Sequence, residues 1–314
     1  MLTWGSARIA KFRHACLIQN PFAGRIRRNP QLLSHAREIL APMAERWEFL
    51  PTDGPGSAGA LAAACIAGGA GLIVALGGDG TINEIIQGMA GSSAALGILP
   101  AGTANVLAME TGIGGNLLHA ARRMADCVPV DVALGQLTLP AAPPRLFAAM
   151  AGAGLDARIV NRVRPEFKRR FGKLSYWAAG FGALGETLPE FSIRLDGRPY
   201  HASFALLSRV RNYGGDLEIA RHADLLRDDF GVVLFEGEST FRYMKYFTGV
   251  LFHALPRMKG VHVLHAREAE ITPLNGRRID LQLDGESAGC APARLTAGQA
   301  RVRILLPPRF VSRP

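Results

Sequence analysis

Cysteine is scarce in this 314-residue chain: Cys16, Cys65, Cys127 and Cys290 are its four, and none sits at the short paired spacing of a thiolate zinc site or a redox dithiol. A disulfide scaffold is therefore not expected, and a reducing compartment, the cytoplasm, is the plainer home. Charge-free stretches long enough for a bilayer-crossing helix do occur, at 54–78 and 85–109, but glycine-rich turns divide each into a helix and a strand, so no membrane span is read. The basic lead-in with Arg8, Lys11 and Arg13 has no apolar stretch ahead of a small-residue cleavage site, so no signal peptide is read there. No GxxxxGK[ST] occurs, which removes the P-loop, and the Gly77-Gly78-Asp79-Gly80 turn, with its glycines adjacent to an acid, is not the G-x-G-x-x-G turn of a Rossmann fingerprint. HExxH is missing, and with it the simplest metalloprotease reading, while Ser6, Ser57 and Ser175 lie outside G-x-S-x-G.

What is present describes a folded, enzyme-sized protein. Apolar residues make up 48% and charged residues 20%, so wholesale disorder is excluded. Lys plus Arg number 36 against 26 Asp plus Glu, a formal charge of +10, which attracts phosphates, nucleic acid or an anionic lipid surface. Zinc-finger spacing, an RNA-binding aromatic motif and a zipper-linked basic helix are all lacking, so nucleic acid is not an expected partner.

The first third reads as α/β. Ala15–Ile18 is a buried strand that breaks at Asn20-Pro21-Phe22-Ala23-Gly24, residues 30–44 carry a helical apolar face, and Trp47–Leu50 and Ser57–Ala67 read as a strand and a helix. Leu72–Leu76 is a continuous apolar strand followed by Gly77-Gly78-Asp79-Gly80-Thr81 and a helix from Ile82. Leu96–Leu99 repeats the theme and ends at Pro100-Ala101-Gly102-Thr103-Ala104-Asn105, with another helix from Val106. Apolar strand, glycine turn and helix in succession make the crossover of a parallel sheet. Beyond Asp131, short strand candidates (132–139, 146–151, 191–195, 202–208, 231–235, 261–266, 279–283 and 302–306) are punctuated by Gly, Pro, Asp and Asn. Helix-like segments interrupt them at 174–184 and 241–252. The expected architecture is an N-terminal parallel-sheet nucleotide domain, residues 1–130, and a C-terminal β-rich, antiparallel sandwich domain, residues 131–314, whose last residues pack back on the first.

Chemistry concentrates at the strand ends. Consecutive glycines at Gly77 and Gly78, with Gly80, remove Cβ atoms where the backbone turns, exposing amide donors to phosphate oxygens at a helix N-terminus. Thr81 adds a hydroxyl, Asp79 offers the anionic oxygen that a phosphate-bridging Mg2+ takes, and Asn83 and Glu84 follow on the first helical turn. Gly102, Thr103 and Asn105 end the next strand, and Asn20 ends the first, so three loops share the carboxyl edge at which open α/β sheets collect ligands. Each loop alone also fits an ordinary turn or helix cap. Asp284-Gly285-Glu286 follows a strand and places two carboxylates in a tight turn, either a solvated hairpin or a site where one acid acts as base and the other engages metal or an orienting donor.

Taken as a set, Asn20–Gly24, Gly77–Thr81 with Asn83 and Glu84, Pro100–Asn105, Gly152-Ala153-Gly154-Leu155-Asp156-Ala157 and Asp284–Glu286 resemble the diacylglycerol kinase catalytic-domain family. The likeness is closest to the bacterial soluble lipid kinases, with sphingosine kinases as relatives and NAD kinases more distant, and it spans about residues 15–306. The resemblance implies a cleft between two domains that receives Mg-ATP and a lipid hydroxyl. It also implies nucleotide phosphates at Gly78, Asp79, Gly80 and Thr81, a nucleotide site lined by Asn20 and Thr103, and Asp284 as base with Glu286 nearby. On that basis D284N should fold normally and retain nucleotide binding while losing most turnover. The pattern departs from the family at Asp228-Asp229-Phe230, where Asp229 stands in place of a glycine beyond Arg211–Asp216, and no second metal site is assigned.

Residues 158–173 hold seven Lys or Arg and one acid, Glu166, with Phe167 and Phe171 between them, while residues 241–259 add a second aromatic and basic segment. Both suit an anionic membrane surface or an acyl-chain groove, and equally a solvated face with core aromatics. The expectation is an ATP- and Mg2+-dependent kinase of a diacylglycerol-like lipid, cytoplasmic and peripherally membrane-associated. NAD kinase and a catalytically silent lipid-binding protein are the alternatives. The lipid, its acyl chains and the oligomeric state, a homodimer included, are left open by the sequence.

Overall fold

A computed structural model describes residues 11–157, 188–213, 218–239, 245–246, 248–250 and 253–313. Two compact units divide the chain. One holds the residues up to Gly102, Thr111–Asp131 and the stretch from Val302; the other holds Thr103–Glu110 and Val132–Arg301.

In the first unit, β1 (Phe12–Gln19), β2 (Ala44–Pro51), β3 (Leu72–Gly77) and β4 (Ala95–Pro100) form a parallel sheet in the order β2-β1-β3-β4. Every residue of β3 and β4 is buried, as expected of strands covered on both faces, and this is why LIVALG and ALGILP read as unbroken apolar runs. Helices α1 (Gly24–Arg28), α2 (Gln31–Leu40), α3 (Ser57–Ala67), α4 (Asp79–Met89) and α6 (Leu117–Met124) join them, with α5 (Val106–Glu110) lying in the second unit's stretch. Helices α3 and α4 approach so closely that a Cβ on Gly59 would lie 2.7 Å from the Glu84 carbonyl oxygen. Helix α6 was not anticipated, although Leu117, Ala120, Ala121 and Met124 bury one face at helical spacing and Asn116 accepts the His119 N–H at 3.0 Å to cap it.

The second unit is built from antiparallel sheet. Strands β7 (Met150–Gly154), β10 (Phe204–Ser208), β11 (Phe230–Phe235), β12 (Val261–Ala266), β14 (Asp280–Leu283) and β15 (Glu286–Cys290) form a six-stranded sheet in the order β12-β11-β10-β7-β14-β15. Facing it are β8 (Phe191–Leu195), β9 (Arg198–Ala202), β13 (Glu268–Pro273) and the first part of β16 (Ala293–Leu306), paired in the order β16-β13-β8-β9. Strands β5 (Val128–Leu139) and β6 (Ala142–Phe147) make a hairpin, with Pro143 and Pro144 on a strand that pairs with β5 alone. Phe147, Phe191, Leu207, Phe230, Ile271, Leu281 and Leu295 fill the space between the sheets, and the Phe147 and Phe230 rings stack at 5.7 Å. An α/β first part and an antiparallel, sandwich-like second part are thus the architecture. A short helix α7 (Pro308–Val311) ends the described chain. The helix expected over 174–184 and the basic segment 158–173 lie outside the described residues, as does most of 241–252.

Candidate functional site

Three strand ends of the first unit are tied together by their backbones. The Asn20 N–H donates to the Leu76 carbonyl at 2.9 Å, and the Ala101 N–H donates to the Gly77 carbonyl at 2.9 Å. Asn20 turns its own loop by accepting the Phe22 N–H at 2.9 Å, while its Nδ2 donates to the Thr81 hydroxyl at 3.3 Å. Side chains at the glycines would force these loops apart. A Cβ on Gly77 would lie 2.6 Å from Thr81, and one on Gly78 would lie 3.3 Å from the Gly102 Cα. Asn20, Gly77, Gly78, Thr81 and Gly102 are therefore brought together.

Gly78 is extended, with φ −95° and ψ −173°, and begins the eleven-residue α4 without any side-chain cap. Asp79 lies in the first turn. Backbone N–H groups of a helix N-terminus, with the helix dipole behind them, suit phosphate oxygens, and an acid beside them suits the accompanying Mg2+, so the residues present fit a magnesium nucleotide. Asn83 and Glu84 are engaged elsewhere. Asn83 accepts from Gln87 Nε2 at 3.4 Å, one helical turn on, and Glu84 accepts the Ala58 N–H at 3.2 Å in the first turn of α3. Gly80 sits between Asp79 and Thr81 in that first turn. Thr103, exposed, and Asn105, buried with φ +50°, belong to the second unit, where the Asn105 carbonyl accepts the Met109 N–H at 2.9 Å.

In the second unit, Leu283-Asp284-Gly285-Glu286 is a two-residue hairpin turn whose central residues both take positive φ, +47° and +83°. The Asp284 carboxylate does more than tolerate that turn. It accepts the N–H groups of Ala148 at 3.1 Å, Ala149 at 3.0 Å and Met150 at 2.8 Å, while the Asp284 N–H donates to the Met150 carbonyl at 2.9 Å. Glu286 is exposed on β15. Behind the turn lies a carboxylate to which sequence reasoning gave no role. Asp156 is fully buried, accepts from Tyr213 and, at 2.7 Å, from Gln282 Nε2, and Gln282 Oε1 in turn accepts the Gly285 N–H at 2.9 Å. Burial pushes the Asp156 carboxyl up to about 6, against the two hydrogen bonds. A Cβ on Gly152 would fall on the Asp156 carboxylate, so that glycine makes room for the acid. Glu110 plays a similar hidden part, accepting the N–H groups of Arg211 at 2.9 Å and Asn212 at 3.3 Å.

At the atypical Asp228–Asp229 turn the carbonyl oxygens that would suit a hard cation are taken by an arginine. Arg209, fully buried, donates from Nη1 to the Asp229 carbonyl at 2.7 Å and from Nη2 to the Leu225 carbonyl at 2.8 Å. Desolvation lowers its guanidinium to about 10, opposed by the nearby Asp228, Asp229 and Asp224. The Asp229 side chain is held by Arg227 at 2.7 Å.

The sequence profile of the diacylglycerol kinase catalytic domain matches residues 14–137, and that of the YegS C-terminal NAD kinase beta sandwich-like domain matches residues 149–306. The chain belongs to this diacylglycerol kinase and YegS-like family. A diacylglycerol kinase from Bacillus subtilis is 25% identical over 242 residues, 75% of this chain and 78% of the relative. A probable YegS-like lipid kinase from Pseudomonas putida is 29% identical over 264 residues, 80% and 82% of the two chains. The crystal structure of a diacylglycerol kinase from Bacillus anthracis superposes with a TM-score of 0.75 at 23% identity, covering 96% of this chain and 99% of the other, a likeness of fold. Membership gives the chain a kinase-type catalytic domain on a lipid-kinase fold. Among the described residues no helix is long and apolar enough to cross a membrane.

Proposed function

We propose that this protein is an ATP-dependent lipid kinase that transfers the γ-phosphoryl group of Mg-ATP to the hydroxyl of a diacylglycerol-like lipid at an anionic membrane surface, from the cytoplasm. The observation that carries the reading is the Gly78–Thr81 turn, glycine backbone opening an uncapped helix in a chain of a kinase family. Backbone N–H groups there orient the nucleotide phosphates, and Asn20 fixes the Thr81 hydroxyl for the same task. Asp79 would hold the magnesium ion, which would supply positive charge against the negative charge of the phosphates.

Asp284 is the partner for the lipid. Three N–H donors lock its carboxylate in one orientation, which suits a group that aligns an incoming hydroxyl. As the lipid oxygen bonds to the γ-phosphorus, the bond to the ADP oxygen breaks and the hydroxyl proton passes to that carboxylate. In a loose transition state the proton moves late, so positioning outweighs basicity. Gln282 and Asp156 hold the turn from behind.

The test is transfer of label from γ-labelled ATP to a panel of lipid alcohols and to NAD, with D79A and D284N as controls. Labelled diacylglycerol-like product is expected, reduced about 100-fold or more in D79A. Labelled NAD without labelled lipid would make it an NAD kinase, and vesicle binding without any transfer would make it a silent lipid-binding protein.

A further inference from the structure

The first unit gathers a group of side chains that phosphoryl transfer does not use. His14 and Cys16 stand two residues apart on β1 and so share one face of the sheet. Strand β2 pairs with β1 so that Glu48 lies directly opposite Cys16, on that same face. Helix α3 packs against β1 and brings the buried Cys65 beside Cys16. Cysteines 49 positions apart in the sequence are thus neighbours, which the absence of paired spacing had hidden.

The donor atoms converge. His14 Nε2 lies 3.1 Å from Glu48 Oε1 and 3.6 Å from Cys16 Sγ, and the three donors all lie within 4.8 Å of one another. Zinc bond lengths to nitrogen, oxygen and sulfur at the tetrahedral angle require edges of about 3.3 Å between N and O and about 3.6 Å between N and S. The N–O and N–S spacings fit edges of a tetrahedral ligand set. We propose that His14, Cys16 and Glu48 form a binding site for a zinc-class divalent cation, with Cys65 beside it.

Charge supports the assignment. The Cys16 thiolate and the Glu48 carboxylate carry two negative charges, which a divalent cation neutralises, and Arg46 is paired with Glu48. Entry is open from one side: β2 is the edge strand, the Glu48 side chain is 35% exposed and Arg46 68%. The site is independent of whether the chain transfers phosphate.

Titration of the reduced, chelator-treated full chain with Co2+ tests it. One equivalent should produce the intense visible bands of tetrahedral cobalt and thiolate-to-cobalt charge transfer in the near ultraviolet, both erased by one equivalent of Zn2+. C16S and E48Q should each weaken binding by about 100-fold, as loss of a ligand costs at least what loss of an outer-shell partner does. E48Q changes a partly exposed residue and keeps the test valid where C16S fails to fold. C290S, which alters the exposed cysteine, should bind as the parent does. Absence of the bands, their persistence in both C16S and E48Q, or their loss in C290S would overturn the proposal.

Discussion

Removing the Asp284 carboxylate should unlatch the hairpin before it affects anything else. Its three donors come from Ala148, Ala149 and Met150, which are 0%, 4% and 4% exposed, so water cannot replace the lost acceptor without local opening. In D284N the amide oxygen can keep Ala149 and Met150, but the amide NH2 faces the Ala148 N–H, donor against donor. One charge-assisted bond is lost and a buried donor is left unpaired, costing about 2 kcal/mol. Asparagine adopts the positive φ readily, so the turn itself survives. D284A removes all three bonds and adds the penalty of alanine in the left-handed region, for a total of about 5 kcal/mol. Hydrogen–deuterium exchange of a peptide spanning residues 146–152 reads this directly. Exchange should accelerate by about 30-fold in D284N, at about 1.4 kcal/mol per decade, and approach the rate of global unfolding in D284A. D284N should therefore fold with a weakened turn, and its turnover must be measured where folding is complete. Protection of residues 148–150 unchanged in D284A would refute the latch.

Three further perturbations follow from the same geometry. Because Asp156 holds its proton to about pH 6 when folded and to about 3.8 when unfolded, the native state binds the extra proton between those values, and stability falls as pH rises through that window by about 3 kcal/mol. D156N, whose amide can donate to Tyr213 and accept from Gln282, should lack that fall, and urea midpoints from pH 3.5 to 7 that run parallel in the two proteins would contradict it. Arg209→Met strips the donors from the Leu225 and Asp229 carbonyls and leaves the nearby acids uncompensated, lowering stability by about 3–5 kcal/mol in denaturant unfolding; a change under about 1 kcal/mol would show the arginine to be dispensable. Gly77→Ala puts a methyl group 2.6 Å from Thr81, which must rotate away from Asn20, costing about 1–3 kcal/mol and weakening nucleotide binding measured by calorimetry, whereas parental affinity would separate Thr81 from the phosphates.

Local pattern carried the first sheet well. Ser57–Ala67 is a helix with the bounds its alanine-rich run suggests, and β3 extends the apolar run 72–76 by one residue. Where strands carry few apolar residues the signal fails: β13, with Glu268, Glu270, Thr272 and Pro273, and β15, with Glu286, Ser287 and Gly289, alternate too weakly to be seen, and Ala293–Leu306 showed only its apolar end. At the site, glycine turns are legible because backbone conformation and close approach demand particular residues. The partners of Asp156, Glu110, Asp284 and Cys16 are not, since each is met across dozens of residues by a sheet pairing or helix packing that no spacing rule encodes. Glu84, adjacent to the turn in sequence, proves to serve the start of α3, as proximity along a helix does not fix the direction of a side chain.

The end of β16 has a consequence for how the chain is made. Arg303 and Ile304 pair with Ala95 and Leu96 of β4, an entirely buried apolar strand. During synthesis that strand emerges about 200 residues ahead of its neighbour, an interval of some 10–40 s at ordinary translation rates. Throughout it the nascent first unit presents an unpaired, greasy flank, the kind of edge that recruits other chains. Completion is deferred to the last moments on the ribosome, and a fragment ending at Asp131 would carry that bare flank permanently.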